Sequence, residues 1–449
     1  MEREKIDFLI AIALAVTGIV ILVYQIGFQT FWTHETREFE NLKLNATIYK
    51  AIIYKKDDIY IAELFDGKKL EERNASLLIN NIIEFIKQGR IKIKDGIYEI
   101  RDTIRIKDQV ELEGSEKTVF DVSGIGRKRV IILGNNTSLT KIKFSGSIDP
   151  PPKAVTQSVF VSGDNVLIED IEIDTMGYGI DIVSKNVRIK KAVIKNIMDE
   201  KGWAAAIHAT LGAKNVSISD FYIDTCDRGV EIEDGAEDII VYNGYIKNVK
   251  MNPKTKQTPF SLDVHTHGEY SVKNVTFRNI TMENCTMAMD STISVGGNYL
   301  LLQNITFESI KIINSSEWFT RIEGSKIKVI DVHGLSSLAR IYGEDMVFQN
   351  VTFYEPSKPF KVNNIVGQKI LFENCAFINE DKSPKECGIK IDDLNSIVTF
   401  LNTTFQSSYV PYSKGAVCVL NTTKVLMRNV KIINDDFYIT VSSEKVEIW

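Results

Sequence analysis

The sequence predicts an all-β chain built as one parallel β-helix, a solenoid of short strands, with a capping helix and a membrane-spanning helix ahead of it. Three observations predict this. First, a unit of the form [V/I/L]-x-[I/F/V]-x-[N/D]-[V/I]-x-[I/F] recurs from residue 166 onward. Its fifth position falls at Asp170, Lys191, Asp220, Asn243, Asn279, Asn304, Asp331, Asn350, Asn374, Asn402 and Asn429, a mean spacing of about 26 residues that suits solenoid repeats. Second, the apolar residues within each unit alternate with polar ones, the period of a strand with one buried face. Third, residues 8–28 (FLIAIALAVTGIVILVYQIGF) carry no charge over 21 positions, and roughly 20 apolar residues cross a bilayer as a helix.

The elements follow in order. Residues 1–7 are expected to be a short cytoplasmic N-terminus and residues 8–28 a signal anchor. The apolar run exceeds the ~7–15 residues of a cleavable signal peptide and exits into aromatic residues rather than a small-residue cleavage site. Residues 29–73 form a juxtamembrane segment whose alternation around Lys55–Asp58 predicts a β-hairpin. Over residues 74–88 the spacing predicts a helix capped by Asn74, with Leu77, Ile79, Ile82, Ile83 and Ile86 on its apolar face. From residue 89 to residue 449 the period is two throughout, and no linker interrupts it. Asn and Asp at the fifth position suit a left-handed turn, and stacked on successive rungs they form a hydrogen-bonded ladder. The period sets the number of rungs at roughly 13 to 15.

The residues Gly89, Ile91, Ile93, Gly96, Tyr98 and Ile100, followed by Leu112 and Gly114, resemble the opening of the pectate-lyase-like family of right-handed parallel β-helix proteins. That resemblance covers about Ala75 to Trp449. It implies a right-handed solenoid and contact with carbohydrate, and says little about chemistry.

Composition narrows the class further. A net charge of -5, from 54 basic and 59 acidic residues interspersed, argues against a nucleic-acid binder. Five cysteines without a metal-type spacing read as small buried hydrophobes. Asparagine sequons are frequent and favour an extracellular domain on a single-pass membrane protein. Those at Asn279, Asn304, Asn350 and Asn402 occupy ladder positions. The glycosylation candidates are therefore Asn45, Asn74, Asn136, Asn215, Asn274, Asn284, Asn314 and Asn421. The last strand, KVEIW, has no capping helix after it, and such an edge invites self-association.

Chemistry is expected on the third strand of each rung. With Ile180, Ile182, Ile207, Val230, Ile232, Leu262 and Val264 facing the core, alternation turns their neighbours outward. Successive rungs then present Asp181, His208, Glu231 with Glu233, and Asp263 with His265 and His267. Asp290, Arg321 with Glu323, and Arg340 continue the column. A histidine oriented by a carboxylate suits acid–base work. The Asp263-Val264-His265 element resembles the Asp-Pro-His element of mannuronan epimerases and related alginate-active β-helix enzymes, with Val264 in place of the proline. The resemblance implies that His265 or His267 removes or returns the proton α to a uronate carboxylate, which Arg228 or Arg321 neutralises. His208 and Asp290 join the two arginines as substrate-binding candidates.

Other readings stay open. Ile223 to Val230 loosely resembles a polygalacturonase site, and Asp224, Asp227, Glu231, Glu233 and Asp263 offer carboxylates for glycoside hydrolysis. No Asp-Asp pair or Gly-His-Gly accompanies them, and Arg321-Ile-Glu departs from that family's Arg-Ile-Lys. Glu231, Glu233, Asp234 and Asp263 offer oxygen ligands to calcium. The expectation is a membrane-anchored extracellular protein acting on polysaccharide, as a polyuronate lyase or epimerase or a glycan hydrolase. The alternative is a non-catalytic stalk or glycan-binding surface protein.

Overall fold

The computed structural model describes residues 49–146, 157–174, 177–250, 259–293, 298–314, 320–336, 338–355, 363–379, 389–391, 397–407, 417–419, 424–433, 438–439 and 446–448. The predicted span at residues 8–28, and Asn45 and Asn421, lie outside them. Among the described residues no helix is long and apolar enough to cross a membrane.

The expected hairpin joins β1 (Tyr49–Lys56) to β2 (Ile59–Leu64) in antiparallel register, with Asp57 in the left-handed region at φ 55°. A third strand, β3 (Lys69–Glu72), extends it. The helix α1 (Ala75–Ile86) begins as predicted, the Asn74 side chain accepting the Leu77 amide at 3.0 Å. Its buried face runs through Ala75, Leu78, Ile79, Ile82 and Ile83. Leu77, expected on that face, is exposed instead. A 3.6-residue period places Leu78, not Leu77, beside Ile82.

From Gly89 the chain coils. Among the described residues fourteen successive parallel pairings join fifteen strands, from Gly89–Ile93 to Val446–Ile448, one strand per rung. Stacked Val, Ile and Phe side chains fill the interior. Phe348, Phe372 and Phe400 lie face to face at 4.8 and 5.1 Å, and Phe353, Phe377 and Phe405 at 4.6 and 5.0 Å. Each such side chain withdrawn from water contributes about 1.5–3 kcal/mol.

The long strands of the rungs bend where the ladder was expected. All eleven predicted fifth positions have φ between 50° and 55°. Asn279 donates to Asn243 at 2.8 Å, Asn374 to Asn350 at 3.2 Å, Asn402 to Asn374 at 3.0 Å and Asn429 to Asn402 at 3.1 Å. One position needs correcting. Asn304 pairs with Asn274, not Asn279, and Ser309 at φ 55° takes the expected corner. A second ladder therefore exists at the preceding corner: Asn165 on Asn136, Asn186 on Asn165 and Asn215 on Asn186, at 3.0, 2.9 and 2.9 Å. Both corners favour Asn for the same reason, so a motif counted in the sequence slips between them. Cys226, Cys285 and Cys375 are buried and free, as the composition suggested.

Candidate functional site

The site lies on the outer face of the third arm. It is carried by β4 (Tyr178–Ile182), β5 (Ala205–Ala209), β6 (Arg228–Glu233), β7 (Phe260–Thr266), β8 (Met287–Ile293) and β9 (Thr320–Ser325). Their register brings the predicted column together. Asp181 lies beside His208, His208 beside Glu231, Glu231 beside Asp263 and Asp263 beside Asp290, while Glu233 lies beside His265. Ile180, Ile207, Val230 and Leu262 point into the core, as alternation requires.

The alternation fails at one place, and the failure adds residues to the site. Gly179, Ala206, Gly229 and Ser261 sit one position before the core residues, yet they are buried too. A Cβ on Gly179 would meet the Ala206 carbonyl oxygen at 2.2 Å, and one on Gly229 the Ser261 oxygen at 2.3 Å. This close approach turns the residues before them toward the column. Tyr178 comes to 6.1 Å from the His208 ring, and the Arg228 guanidinium lies 5.9 Å from the Phe260 ring. Strict period-two reading places Tyr178 on the opposite face, which is why it escaped the sequence analysis.

One carboxylate organises the centre. Glu233 accepts from His208 Nε2 through Oε1 at 2.8 Å and from His265 Nε2 through Oε2 at 2.8 Å. The other ring nitrogens are held by aspartates, His208 Nδ1 by Asp181 at 3.0 Å and His265 Nδ1 by Asp263 at 2.9 Å. Gln157 steadies Asp181 from the rung before, donating at 2.5 Å. An ionised carboxylate only accepts, so all four ring nitrogens must donate and both imidazoles are cations. Burial works against the charge on His208, but its bonds to Asp181 and Glu233 prevail and push it up to about 9. Burial likewise opposes His265, and Asp263 and Glu233 push it up to about 10. Glu233, although burial raises it, is held far below the usual carboxylate range by the two imidazolium groups.

Beneath these lie further buried carboxylates. Glu231 is paired with Arg228. Asp290 accepts from Thr292 at 3.1 Å and from the Arg321 guanidinium at 2.8 Å. Burial raises the Asp290 carboxyl; Arg321 pulls it back, and neighbouring Asp263 raises it again. Asp263 Oδ1 is buried without a hydrogen-bond partner. The layering is consistent. Asp263, Glu231 and Asp290 form the floor, the His265 ring at 9% side-chain exposure is nearly as buried, and Arg321, at 42%, faces outward.

His267 differs from its neighbours. It lies past the end of β7 instead of in the column, and its side chain is 58% exposed. Its Nδ1 meets Asp234 Oδ2 at 2.6 Å, and its ring stands edge-on to His265 with centroids 5.0 Å apart. With Nδ1 donating to Asp234, the tautomer this bond selects has its lone pair on Nε2. Asp234, whose backbone is left-handed at φ 30°, is the orienting residue that the sequence did not assign to His267.

The hydrolase and metal sets separate. Asp224 lies on another arm, bound to Asn248 at 2.8 Å and Lys247 at 3.2 Å. Asp227 is buried, accepting the Asp199 amide at 2.9 Å. Among the described residues, Glu231, Asp263 and His265 bring candidate ligand atoms within 4.8 Å of one another, as do Glu233, His265 and His267. Both nitrogens of His265 are already committed to carboxylates, so neither set offers a cation a free imidazole there. Of the four oxygen ligands considered for calcium, Asp234 is spent on His267, with Oδ1 also accepting the His267 amide at 2.9 Å.

No protein-family profile and no curated protein matches the chain. Solved structures do. The chain is similar to bacteriophage phi29 gene product 12 in its pre-mature form, with 14% identity and a TM-score of 0.55 over 82% of this chain and 55% of that one. The N-terminal fragment of the same phage protein gives 12% identity and a TM-score of 0.52 over 82% and 69%. The family 28 exopolygalacturonase of Yersinia enterocolitica gives 11% identity over 87% and 82%, with a TM-score of 0.42. The chain thus spans little more than half of the first phage structure. The likeness is one of fold alone, a right-handed parallel β-helix.

Proposed function

We propose that the chain is a polysaccharide-modifying enzyme that removes the proton α to a uronate carboxylate, the chemistry shared by polyuronate lyases and epimerases. The observation that carries this reading is the pair of adjacent imidazoles with opposite fates. His267, oriented by Asp234 and exposed, has an available Nε2 and serves as the base. His265, with carboxylates on both nitrogens, is a fixed cation and cannot be the base. It faces the negative charge that develops as the C–H electron pair moves into the substrate carboxylate. Arg321, anchored by buried Asp290, and Arg228, anchored by Glu231, are the cations that receive that carboxylate. In a lyase reaction the proton taken by His267 Nε2 passes to the β glycosidic oxygen as its C–O bond breaks, and in an epimerisation water on the opposite face supplies the new α proton while His267 releases its own to solvent. Arg321, the one well-exposed cation among these groups, is the residue that favours an anionic polymer over a neutral one.

Glycan hydrolysis is a second reading. Neighbouring Asp263 and Asp290, the latter with a raised carboxyl, are the kind of pair a glycosidase uses. Both lie under Arg321 and His265, which weighs against direct contact with a sugar. A single-pass anchor at residues 8–28 and an extracellular β-helix with glycans on some sequons complete the proposal.

The test is incubation of the chain with polygalacturonate, polymannuronate and polyguluronate in deuterium oxide. α-Deuterium in the polymer (an epimerase) or an unsaturated uronate at the new non-reducing end (a lyase) is the expected result. New reducing ends with neither establish the hydrolase instead, and no change in any polymer leaves the non-catalytic surface protein.

A further inference from the structure

The acid–base centre is flanked by two exposed aromatic side chains that nothing in the proposed chemistry uses. Trp203 precedes β5, the strand of His208, and is 43% exposed. Its turn is unusually well held for a surface loop. The Asp199 carboxylate, 2% exposed, accepts the amides of Lys201 and Trp203 at 2.9 and 2.9 Å. The Asp199 amide is bound in turn by buried Asp227 at 2.9 Å. Lys201 covers one face of the indole, its amino group 5.2 Å from the ring. An apolar ring held rigidly in water costs entropy and gains no burial, so the loop's construction is not explained by folding.

At the other side, Tyr270 follows His267 and is 48% exposed. Its carbonyl accepts the Thr266 hydroxyl at 2.6 Å, which fixes the turn against the end of β7. Leu211, 50% exposed, approaches it over Gly235. A Cβ on Gly235 would lie 3.6 Å from Leu211 and 3.7 Å from Tyr270, and its φ of +83° suits glycine. The two rings therefore stand at opposite ends of the strands that carry the site. The longest of the strands between them, β7, has seven residues, about 20 Å from end to end at 3.3 Å per residue, the length of roughly four linked pyranoses.

We propose that Trp203 and Tyr270 are sugar-ring platforms at the two ends of one binding groove. The polysaccharide lies along the strands, across the axis of the β-helix, with its reacting residue over His265 and His267. The apolar face of a pyranose stacks on each ring, and Lys201 beside the indole meets a uronate carboxylate there. This inference rests on the proposed carbohydrate activity but is separable from it.

The experiment measures kcat and KM of the full chain on trimeric and hexameric oligogalacturonate and oligomannuronate, and hexamer binding by tryptophan fluorescence. Wild type is compared with Trp203→Ala, Trp203→Phe and Tyr270→Ala. Both alanine variants are expected to raise the hexamer KM at least ten-fold with kcat within two-fold. The penalty is smaller for the trimer, which cannot span the rings, and Trp203→Phe restores most of the affinity. Turnover by wild type with KM unchanged in both alanine variants overturns the platforms and leaves the enzyme. Wild type that neither binds nor converts any of these oligomers overturns both.

Discussion

Replacing Glu233 with glutamine removes the bridging charge while keeping the shape, and the consequence can be worked out bond by bond. In the native site each imidazole has two carboxylates. His208 keeps Asp181 at 3.0 Å and His265 keeps Asp263 at 2.9 Å, while each loses its charged partner at 2.8 Å, the glutamine oxygen remaining as a neutral acceptor for only one of the two rings. A hydrogen bond to a charged group is worth about 1.5–3 kcal/mol, and one pKa unit is ~1.4 kcal/mol, so each histidine should fall by about one to two units. From about 9 and about 10, His208 then approaches neutral pH and His265 stays above it. The chain has five histidines, so nitrogen-labelled imidazole spectra recorded through a pH titration resolve the two directly. A drop below half a unit at both rings refutes the view that Glu233 holds them as cations. So does a wild-type titration near the ordinary value of 6.5.

Three further outcomes follow from the same geometry. Because the folded imidazoles titrate above their unfolded value of 6.5, their stabilisation is complete below that pH and is lost as pH rises through about 9 and about 10. Thermal melting of wild type should thus fall from about pH 6.5 upward, levelling off past about pH 10, and more steeply than in His208→Gln; a melting temperature flat from pH 6.5 to 10 contradicts this. Gly229→Ala forces a methyl against the Ser261 carbonyl at 2.3 Å, at a cost of about 1–3 kcal/mol. A denaturation midpoint equal to wild type would show that the close approach is not required. Asn215 and Asn274 spend their side-chain nitrogens on Asn186 and Asp238, at 2.9 and 2.8 Å. Among the described sequons, glycans are accordingly expected at Asn284 and Asn314 and not at Asn215 or Asn274, which peptide mass spectrometry after expression in a glycosylating host decides.

Much of the fold was legible because a solenoid writes its geometry into every rung. The left-handed corners demand Asn or Asp, the core demands an apolar residue at alternate positions, and the register needs only the repeat. Asp181, His208, Glu231, Glu233, Asp263, His265 and Asp290 could therefore be set in one column before any coordinates. What alternation could not convey is the break in alternation at Gly179 and Gly229, since a buried glycine and an outward one look alike in sequence. It also could not convey which nitrogen of which histidine meets which carboxylate. That detail separates two histidines that the sequence left interchangeable: His265, the histidine of the Asp-Val-His element, has carboxylates on both nitrogens, and exposed His267 has one on Nδ1 alone. Asp234 was hidden for a related reason. It sits in the turn after β6, and only the stacking of β7 on that strand carries it to His267.

The account turns on His267 as base, so the most direct measurement is the rate of α C–H cleavage in polyuronate, read as unsaturated product and as α-deuterium exchange together, by wild type, His267→Gln and Asp234→Asn. General-base catalysis is worth about 10²–10⁴-fold. The account predicts a loss of that size in His267→Gln with oligomer binding retained, and a smaller loss in Asp234→Asn. Cleavage by His267→Gln at the wild-type rate would contradict it.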